Sequence, residues 1–282
     1  IKMLKFKFLQ VFFKFNEGYK IIFMEDKLWN KVRSDAERAI KAEPLLSNLI
    51  QSAILNHNSL QESLIYQVAR KLCSTELSDK IIFEVAKEAF RVDTTLLKSV
   101  QADLLAVFDR DPSCNSFAHP ILYFKGFLAI QAYRISHWLW SNNRCDFAYL
   151  IQSRTSEAFG IDIHPAAKIG NGLMIDHAHS IVIGETASIG NDVSMLHSVT
   201  LGGTGSEGLQ RHPTIEDGVL LGAGAKVLGN ITVGHCSKVA AGSVVLKSVP
   251  PKKVVAGVPA KIVGEAGCVK PSIPMHQLIE RK

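Results

Sequence analysis

Apolar residues in the first half of the chain are spaced as on amphipathic helices. Two stripes carry this pattern, one at Leu28, Val32, Ala36 and Ile40 and the other at Leu60, Leu64, Val68 and Leu72. Ser59 and Glu62 predict a capping box before the second stripe. Further helices are predicted over 81–90, 96–108 and 126–140. The pattern therefore predicts an all-helical domain over residues 24–159.

After Gly160 the apolar period becomes six residues. The repeated aliphatic positions are Ile163, Ile169, Ile175, Ile181, Ala187, Val193 and Val199, and then Ile215, Leu221, Val227, Val233, Val239 and Val245. This period fits neither a helix nor an alternating strand. It is typical of a parallel β-helix, in which each hexad supplies a short strand and a corner and three hexads complete a coil. The predicted fold is therefore α + β, with hexapeptide coils over residues 160–264 that resemble the left-handed parallel β-helix. A β-sandwich with coincidental spacing is the alternative.

The six-residue repeat is interrupted once. The step from Val199 to Ile215 equals two hexads and four surplus residues. The surplus falls in the glycine-rich segment 202–213, which ends in Arg211-His212-Pro213. Insertions in a solenoid leave the coil as loops, and such loops often carry function. We therefore expect one protruding loop that takes part in the site.

Composition and charge narrow the classes of function. Hydrophobic residues make up 47% of the chain and charged residues 21%, and no apolar run approaches the roughly 20 residues of a membrane span. The net charge of +6 is concentrated in residues 1–23, so neither a nucleic acid nor a membrane is an expected partner. This basic extension is interpreted as an upstream segment outside the fold, with Met24 as the natural first residue. A signal peptide is the alternative, although lysines interrupt its apolar run.

The cysteines indicate the compartment. Five of them are scattered along the chain without a C-x-x-C pair: Cys73, Cys114, Cys145, Cys236 and Cys268. An odd, dispersed set argues against a disulfide framework and favours a reducing environment. We therefore expect a cytoplasmic protein.

Asp162 and His177 are candidates for acid–base chemistry. Their spacing is three positions short of a full coil of three hexads, so their side chains are predicted to lie on adjacent rungs. A carboxylate can fix the tautomer of an imidazole and stabilise its protonated form, which suits a general base. A purely structural histidine is the alternative. Asp176 could meet an ammonium group and Arg211 a carboxylate, so together they suit an amino-acid substrate.

His179 and His197 raise the possibility of a metal site. They are separated by three full hexads and are predicted to stack one coil above the other. A catalytic zinc site typically has three protein ligands, and neither His212 nor His235 is in register with this pair. No metal is therefore expected, and a metal-dependent hydration enzyme is kept as an alternative.

Several segments resemble serine acetyltransferases, which belong to the hexapeptide-repeat acyltransferases. They are DIHPAAKIG from Asp162, DHA, IVIGETA, SVTLGGTG, RHP, GAGAKVLGNI, AAGSVV and VPPKKVVAGVPAKIVG, with RDP at 110–112 and YFKGFLAIQAYRISHWLW at 123–140. The resemblance covers residues 26–265. It implies a serine O-acetyltransferase, which moves the acetyl group of acetyl-CoA to the hydroxyl of L-serine in cysteine biosynthesis.

The resemblance also implies roles for individual residues. His177 would be the catalytic base and Asp162 its orienting partner. The amino-acid substrate would be bound by Asp111 and Asp176 at its ammonium group, by Arg211 and His212 at its carboxylate, and by Glu185 nearby. Acetyl-CoA would lie along backbone groups of three small residues: Gly203, Ala223 and Ala241.

The resemblance further implies an assembly of β-helical trimers, with sites between subunits, that pair into a hexamer. In the family the C-terminal tail commonly ends in an isoleucine that docks into O-acetylserine sulfhydrylase. The tail here, residues 265–282, continues beyond Ile279 with Glu280, Arg281 and Lys282, which argues against that complex. A hexapeptide acetyltransferase for a sugar or another hydroxyl, and a non-catalytic scaffold, are the remaining alternatives.

Overall fold

The computed structural model describes residues 17–205, 210–267 and 270–277, with the backbone alone described for residues 17–26. A helical region is followed by a parallel β-solenoid, which confirms the predicted fold class. The hexapeptide repeats fit the left-handed form. Most of the basic extension, Cys268 and Ile279 lie outside the described residues. None of the described helices is long and apolar enough to cross a membrane.

Eight α-helices form the first region of the described chain. They are α1 Glu17–Ala42, α2 Ser47–Ile50, α3 Leu60–Leu72, α4 Asp79–Val92, α5 Thr95–Arg110, α6 Ala118–Tyr123, α7 Lys125–Ser141 and α8 Cys145–Phe159. A 3-10 turn, Pro44–Leu46, precedes α2 and a π turn, Gln51–Leu55, follows it. The helices predicted over 81–90, 96–108 and 126–140 correspond to α4, α5 and α7, each slightly longer than predicted.

Local sequence explains where these helices begin and end. Half of the predicted capping box opens α3, because the Ser59 hydroxyl accepts from the Glu62 amide at 3.2 Å. The Glu62 carboxylate accepts from the amide of Asn58, one residue before the N-cap, at 2.9 Å. Gly160 ends α8 with a φ of +69°, a conformation that glycine adopts without strain. The two predicted apolar stripes are buried, except for the half-buried Ile40.

The solenoid consists of short strands on three faces. Sheet A contains β1 Ile161–Ile163, β4 Ile181–Ile183, β7 Thr200–Gly202, β10 Lys226–Leu228 and β13 Val244–Val245. Sheet B contains β2 Lys168–Ile169, β5 Ser188–Ile189, β8 Thr214–Ile215 and β11 Thr232–Val233. Sheet C contains β3 Met174–Ile175, β6 Ser194–Met195, β9 Leu220–Leu221, β12 Lys238–Val239, β14 Lys253–Gly257 and β15 Ala260–Glu265. All pairings are parallel except that of β14 with β15.

The strand register corrects two details of the predicted repeat. Ile163 pairs with Ile183 rather than Ile181, because the first coil exceeds three hexads by two residues, which lie in the corner 176–180. The coil that contains the loop is also longer than predicted. Thr200 pairs with Lys226, so the surplus of this coil over three hexads is eight residues rather than four.

A buried carboxylate joins the helical region to the solenoid. Asp103 of α5 is fully buried. Its Oδ1 accepts from the Leu173 amide at 2.9 Å, and its Oδ2 accepts from Gln131 at 3.0 Å and from Arg134 at 3.0 and 2.7 Å. The Arg134 guanidinium also donates to the Gly170 carbonyl at 2.8 Å. Side chains of α5 and α7 are thereby bonded to the corner between sheets B and C.

Arg110, at the end of α5, makes a second junction. Its guanidinium donates to the Gly172 carbonyl at 2.9 Å, to the Ser194 hydroxyl at 3.0 Å and to Asp192 at 3.1 Å. Burial lowers the pKa of Arg110, and the Asp192 carboxylate opposes this effect. The end of α5, with Asp111 directly after it, is therefore held against the first two coils.

We predict that Asp103→Ala lowers the free energy of unfolding by about 3–5 kcal/mol, because it leaves the Arg134 charge buried without its partner. Glu88→Ala is the control: it breaks an exposed pair with Arg144, which should cost about 1 kcal/mol or less. Denaturant unfolding at one fixed protein concentration measures both changes. Equal losses for the two variants would contradict the structural role of Asp103.

Candidate active site

Eight of the ten predicted site residues lie on two of the three edges of the solenoid, while Asp111 follows α5 and Asp162 lies in β1. We define the C–A edge as the corner residues 176–180, 196–199, 222–225 and 240–243. The A–B edge comprises residues 164–167, 184–187, 203–205 and 210–213. Sheet A separates the two edges. Residues 180 and 184 flank one of its strands, so the edges are roughly 13 Å apart at the rise of an extended chain.

Three predicted residues meet at the start of the C–A edge. Asp111, Asp176 and His177 line a cavity of about 300 Å³, together with Tyr123 and Lys125. The Asp111 carboxylate accepts from the amide and hydroxyl of Ser113 at 2.8 and 2.7 Å, which fixes the turn after α5. Two carboxylates and an imidazole therefore face one small cavity.

A close approach between α7 and the solenoid shapes this cavity. A Cβ atom on Gly126 would lie 2.3 Å from the Ile175 carbonyl oxygen. Only glycine permits this contact, because real Cβ atoms do not come within 3.0 Å of such an atom. Gly126 thus lets α7 rest directly on β3, next to Asp176 and His177.

His177 is the accessible base of the cavity. Its side chain is 72% exposed, and its Nε2 lies 3.8 Å from an Asp176 carboxylate oxygen. The backbone at His177, Ala178 and Ser180 has φ values of +56°, +51° and +55°. Residues other than glycine adopt this conformation uncommonly, and such residues cluster at functional sites. The two extra residues of the first coil thus form a turn that presents the imidazole.

Asp162 has a different described partner. Its carboxylate accepts from the Gln152 amide at 2.6 Å, whereas the described residues place Asp176, and no other carboxylate, within ion-pair distance of His177. Asp162 lies in β1 opposite Val182. Because the first coil is two residues longer than predicted, His177 is five positions short of a full coil from Asp162 rather than three. The pairing of Asp162 with His177 stays a prediction.

The predicted stack of His179 on His197 is present in the backbone, where the Ser198 amide donates to the His179 carbonyl at 2.6 Å, but the ring contact is a different one. The His197 ring lies instead 5.6 Å from the His177 ring, at 75° to it. The longer first coil brings position 197 beneath 177, while Nδ1 of His179 lies 3.3 Å from the Lys125 ammonium. Among the described side chains, no group of three or more His, Cys, Asp and Glu residues is placed to hold a metal ion.

On the A–B edge, His212 is buried at 8% exposure. Its Nδ1 lies 3.2 Å from the Thr186 amide and 2.9 Å from the Thr186 hydroxyl. The ring packs against Gly184, where an added Cβ would come within 2.0 Å of it. His212 therefore has one fixed orientation, determined by residues 184–186.

Charges surround this histidine. The Arg211 guanidinium pairs with the Glu185 carboxylate, so these two predicted residues are in contact. Burial lowers the pKa of His212, and Arg211 lowers it further, while Glu185 acts in the opposite direction. Burial likewise lowers the pKa of nearby His164, against the effects of Glu185 and Asp162. The A–B edge therefore places the Arg211 guanidinium beside two imidazoles, those of His164 and His212, whose neutral forms are favoured.

The three predicted acetyl-CoA positions divide between the edges. Ala223 and Ala241 lie on the C–A edge, in the coils that follow His197: the Gly224 amide donates to the His197 carbonyl at 2.9 Å, and the Gly242 amide to the Ala223 carbonyl at 2.8 Å. Gly203 lies on the A–B edge, where an added Cβ would be 3.4 Å from the Arg211 carbonyl. Small residues therefore continue one edge below the His177 cavity.

Sequence reasoning missed four residues of these groups: Tyr123, Lys125, His164 and Thr186. None belongs to the hexad positions or to a pair with chemical spacing, so periodicity could not identify them. Each lies inside a segment that carried the family resemblance, and this was the signal available.

Each of the two regions matches a known family model. Residues 28–132 match the family model described as serine acetyltransferase, N-terminal. Residues 212–247 match the model described as bacterial transferase hexapeptide (six repeats).

Similar proteins span both regions. The serine acetyltransferase of Escherichia coli K12 is 50% identical over 250 residues, which are 89% of this chain and 92% of the relative. The structure of Neisseria gonorrhoeae serine acetyltransferase in complex with serine has a TM-score of 0.81 and 50% identity, and covers 83% of this chain and 96% of its own. The structure of serine acetyltransferase from Brucella abortus in complex with coenzyme A has a TM-score of 0.84 and 49% identity, with coverages of 86% and 97%.

The lowered pKa values of His164 and His212 predict a stability that depends on pH. Below about pH 6.5, these histidines take up protons in the unfolded chain but stay neutral in the folded protein. The free energy of unfolding should therefore decrease as the pH is lowered, until the pH reaches the lowered pKa values of the folded state. His212→Gln should make this fall shallower in denaturant unfolding between pH 5 and 8. His235→Gln, which changes an exposed histidine on the corner between sheets B and C, is the control. An unchanged pH dependence in His212→Gln would contradict the prediction.

Proposed function

The chain belongs to the serine acetyltransferase family, and from this premise we propose that its His177 cavity is where acetyl passes from acetyl-CoA to the hydroxyl of L-serine. One observation carries the proposal: Asp111, Asp176 and His177 line a single cavity of about 300 Å³. A small amino acid suits this volume. Its ammonium group suits the two carboxylates, and its hydroxyl suits the imidazole.

His177 acts as the general base. Its imidazole takes the proton of the serine hydroxyl while that oxygen attacks the thioester carbonyl of acetyl-CoA. The tetrahedral intermediate then expels the CoA thiolate, and the imidazolium returns the proton to the sulfur, which yields O-acetyl-L-serine and CoA. A positioned base contributes roughly 10²–10⁴-fold to such a reaction, and the alignment of two bound substrates contributes much of the rest. The Asp176 carboxylate lies 3.8 Å from the imidazole, close to the positive charge that arises in between.

The other predicted residues bind the substrates. Arg211 and His212 receive the serine carboxylate, and Glu185 holds the Arg211 guanidinium until that carboxylate arrives. Acetyl-CoA lies along the C–A edge, where Ala223 and Ala241 let its pantetheine arm approach the backbone. The relatives' complexes with coenzyme A and with serine support binding of these two molecules.

A complete site uses two chains. Within one chain, the edge that holds His177 is roughly 13 Å from the edge that holds Arg211 and His212, which is more than the length of serine. Closed threefold symmetry would bring the C–A edge of one subunit against the A–B edge of the next, because a heterologous contact repeated around an axis closes into a ring. We therefore assign the ammonium contacts and the base to one subunit, and the carboxylate contacts to its neighbour, in a trimer that pairs into a hexamer through the helical regions.

The first test measures thiol release from acetyl-CoA with L-serine, L-homoserine, a galactoside or no acceptor. Serine-dependent release should fall by about 10²-fold or more in His177→Ala, because the base is lost. His235→Ala is the control and should keep the wild-type rate. Release with the galactoside in place of serine, or release that is unchanged in His177→Ala, would overturn the proposal.

The second test detects sites that are shared between subunits. His177→Ala and Arg211→Ala should each be nearly inactive alone, but coexpression should restore about a quarter of the wild-type activity if chains mix randomly, because one in four sites then combines two intact edges. Coexpression of His177→Ala with Asp176→Ala is the control, since both changes affect the same edge. No recovery in mixed oligomers of the first pair would contradict the shared site.

A further inference from the structure

We infer that Thr186 is a positioning residue, which holds His212 in the tautomer with its proton on Nε2 and anchors the end of the glycine-rich loop. The inference rests on the proposed function for its effect on serine binding. Its structural content stands on contacts within the A–B edge alone.

The hydrogen bonds of Thr186 determine the tautomer. Its backbone N–H, which can only donate, lies 3.2 Å from Nδ1 of His212. Its hydroxyl oxygen accepts from the amides of Arg211 and His212, each at 3.0 Å, so the hydroxyl proton is left to donate to Nδ1 at 2.9 Å. Two donors at Nδ1 require a lone pair there. The neutral ring therefore carries its proton on Nε2.

Packing holds the His212 ring in this orientation. The ring is buried against Gly184, where an added Cβ would come 2.0 Å from Nε2, and a Cβ on Gly203 would lie 3.6 Å from the same atom. The ring therefore has little room to turn on the Gly184 side. Burial and the Arg211 charge both lower the pKa of His212, which agrees with a neutral donor.

Thr186 also anchors the loop. Its carbonyl accepts from the Gln210 side-chain amide at 2.7 Å, and the same amide donates to the His212 carbonyl at 2.8 Å. Its amide, hydroxyl and carbonyl together bind residues 210–212, where the loop rejoins the solenoid. The Arg211 side chain meanwhile stays directed at Glu185. The two predicted carboxylate contacts therefore depend on one threonine that does not itself need to touch serine.

The decisive variant is Thr186→Val, which keeps the side-chain shape and removes the hydroxyl. The KM for L-serine should rise about tenfold or more, because unpaired Arg211 and His212 amides let both carboxylate contacts shift. The KM for acetyl-CoA should change less than the KM for serine, because two of its three predicted contacts, Ala223 and Ala241, lie on the other edge. Thr186→Ser should restore the wild-type KM for serine. Thr232→Val, in β11 of the same solenoid, is the matched control.

A second measurement requires no activity. Arg211 is the only trypsin site within residues 202–213, so limited trypsinolysis of the full chain reports release of the loop end. Cleavage after Arg211 should be faster in Thr186→Val and equal to wild type in Thr186→Ser and Thr232→Val. A Thr186→Val protein with a wild-type KM for serine and a wild-type rate of cleavage after Arg211 would overturn the inference, even if its melting temperature were lower. A wild-type protein that transfers no acetyl to serine would overturn the proposed function, while the cleavage rates would still test the anchor.

Discussion

The hydrogen bonds of the buried Asp103 carboxylate are the interactions on which the placement of the helices against the solenoid depends. A charge removed from water is costly unless donors surround it, and here one backbone amide and the side chains of Gln131 and Arg134 do so. These donors come from the first coil and from α7. These hydrogen bonds therefore hold the helices in their position on the solenoid.

That position creates the cavity. With α5 fixed, Arg110 reaches between the coils and Asp111 follows directly at the mouth. With α7 fixed, Gly126 touches the backbone of β3, so that Tyr123 and Lys125 close the other side. The solenoid contributes Asp176 and His177 from a corner with two extra residues. The contacts that join the helical region to the solenoid thus also place the residues that line the proposed acceptor site.

The two edges of sheet A divide the chemistry. The C–A edge holds carboxylates and an exposed imidazole, which suit an ammonium group and a hydroxyl. The A–B edge holds a guanidinium and a buried imidazole whose proton is fixed by Thr186, which suit a carboxylate. Serine carries its ammonium and carboxylate groups on one carbon atom and its hydroxyl on the next. This mismatch between substrate size and edge separation is the physical reason for proposing a site shared between subunits.

The sequence by itself determined the fold class and the chemistry. The change in apolar period at Gly160 predicted helices followed by a solenoid, and the segments around Asp162, His177 and Arg211 predicted the family and its site residues. Only the tertiary structure decided the extended first coil, the contact of His197 with His177, the larger surplus of the loop and the dependence of His212 on Thr186. A six-residue period records which side chains face inward, whereas coil length is set by hydrogen bonds between strands distant in the chain. The partner of a polar side chain depends on that register, so no local pattern could supply it.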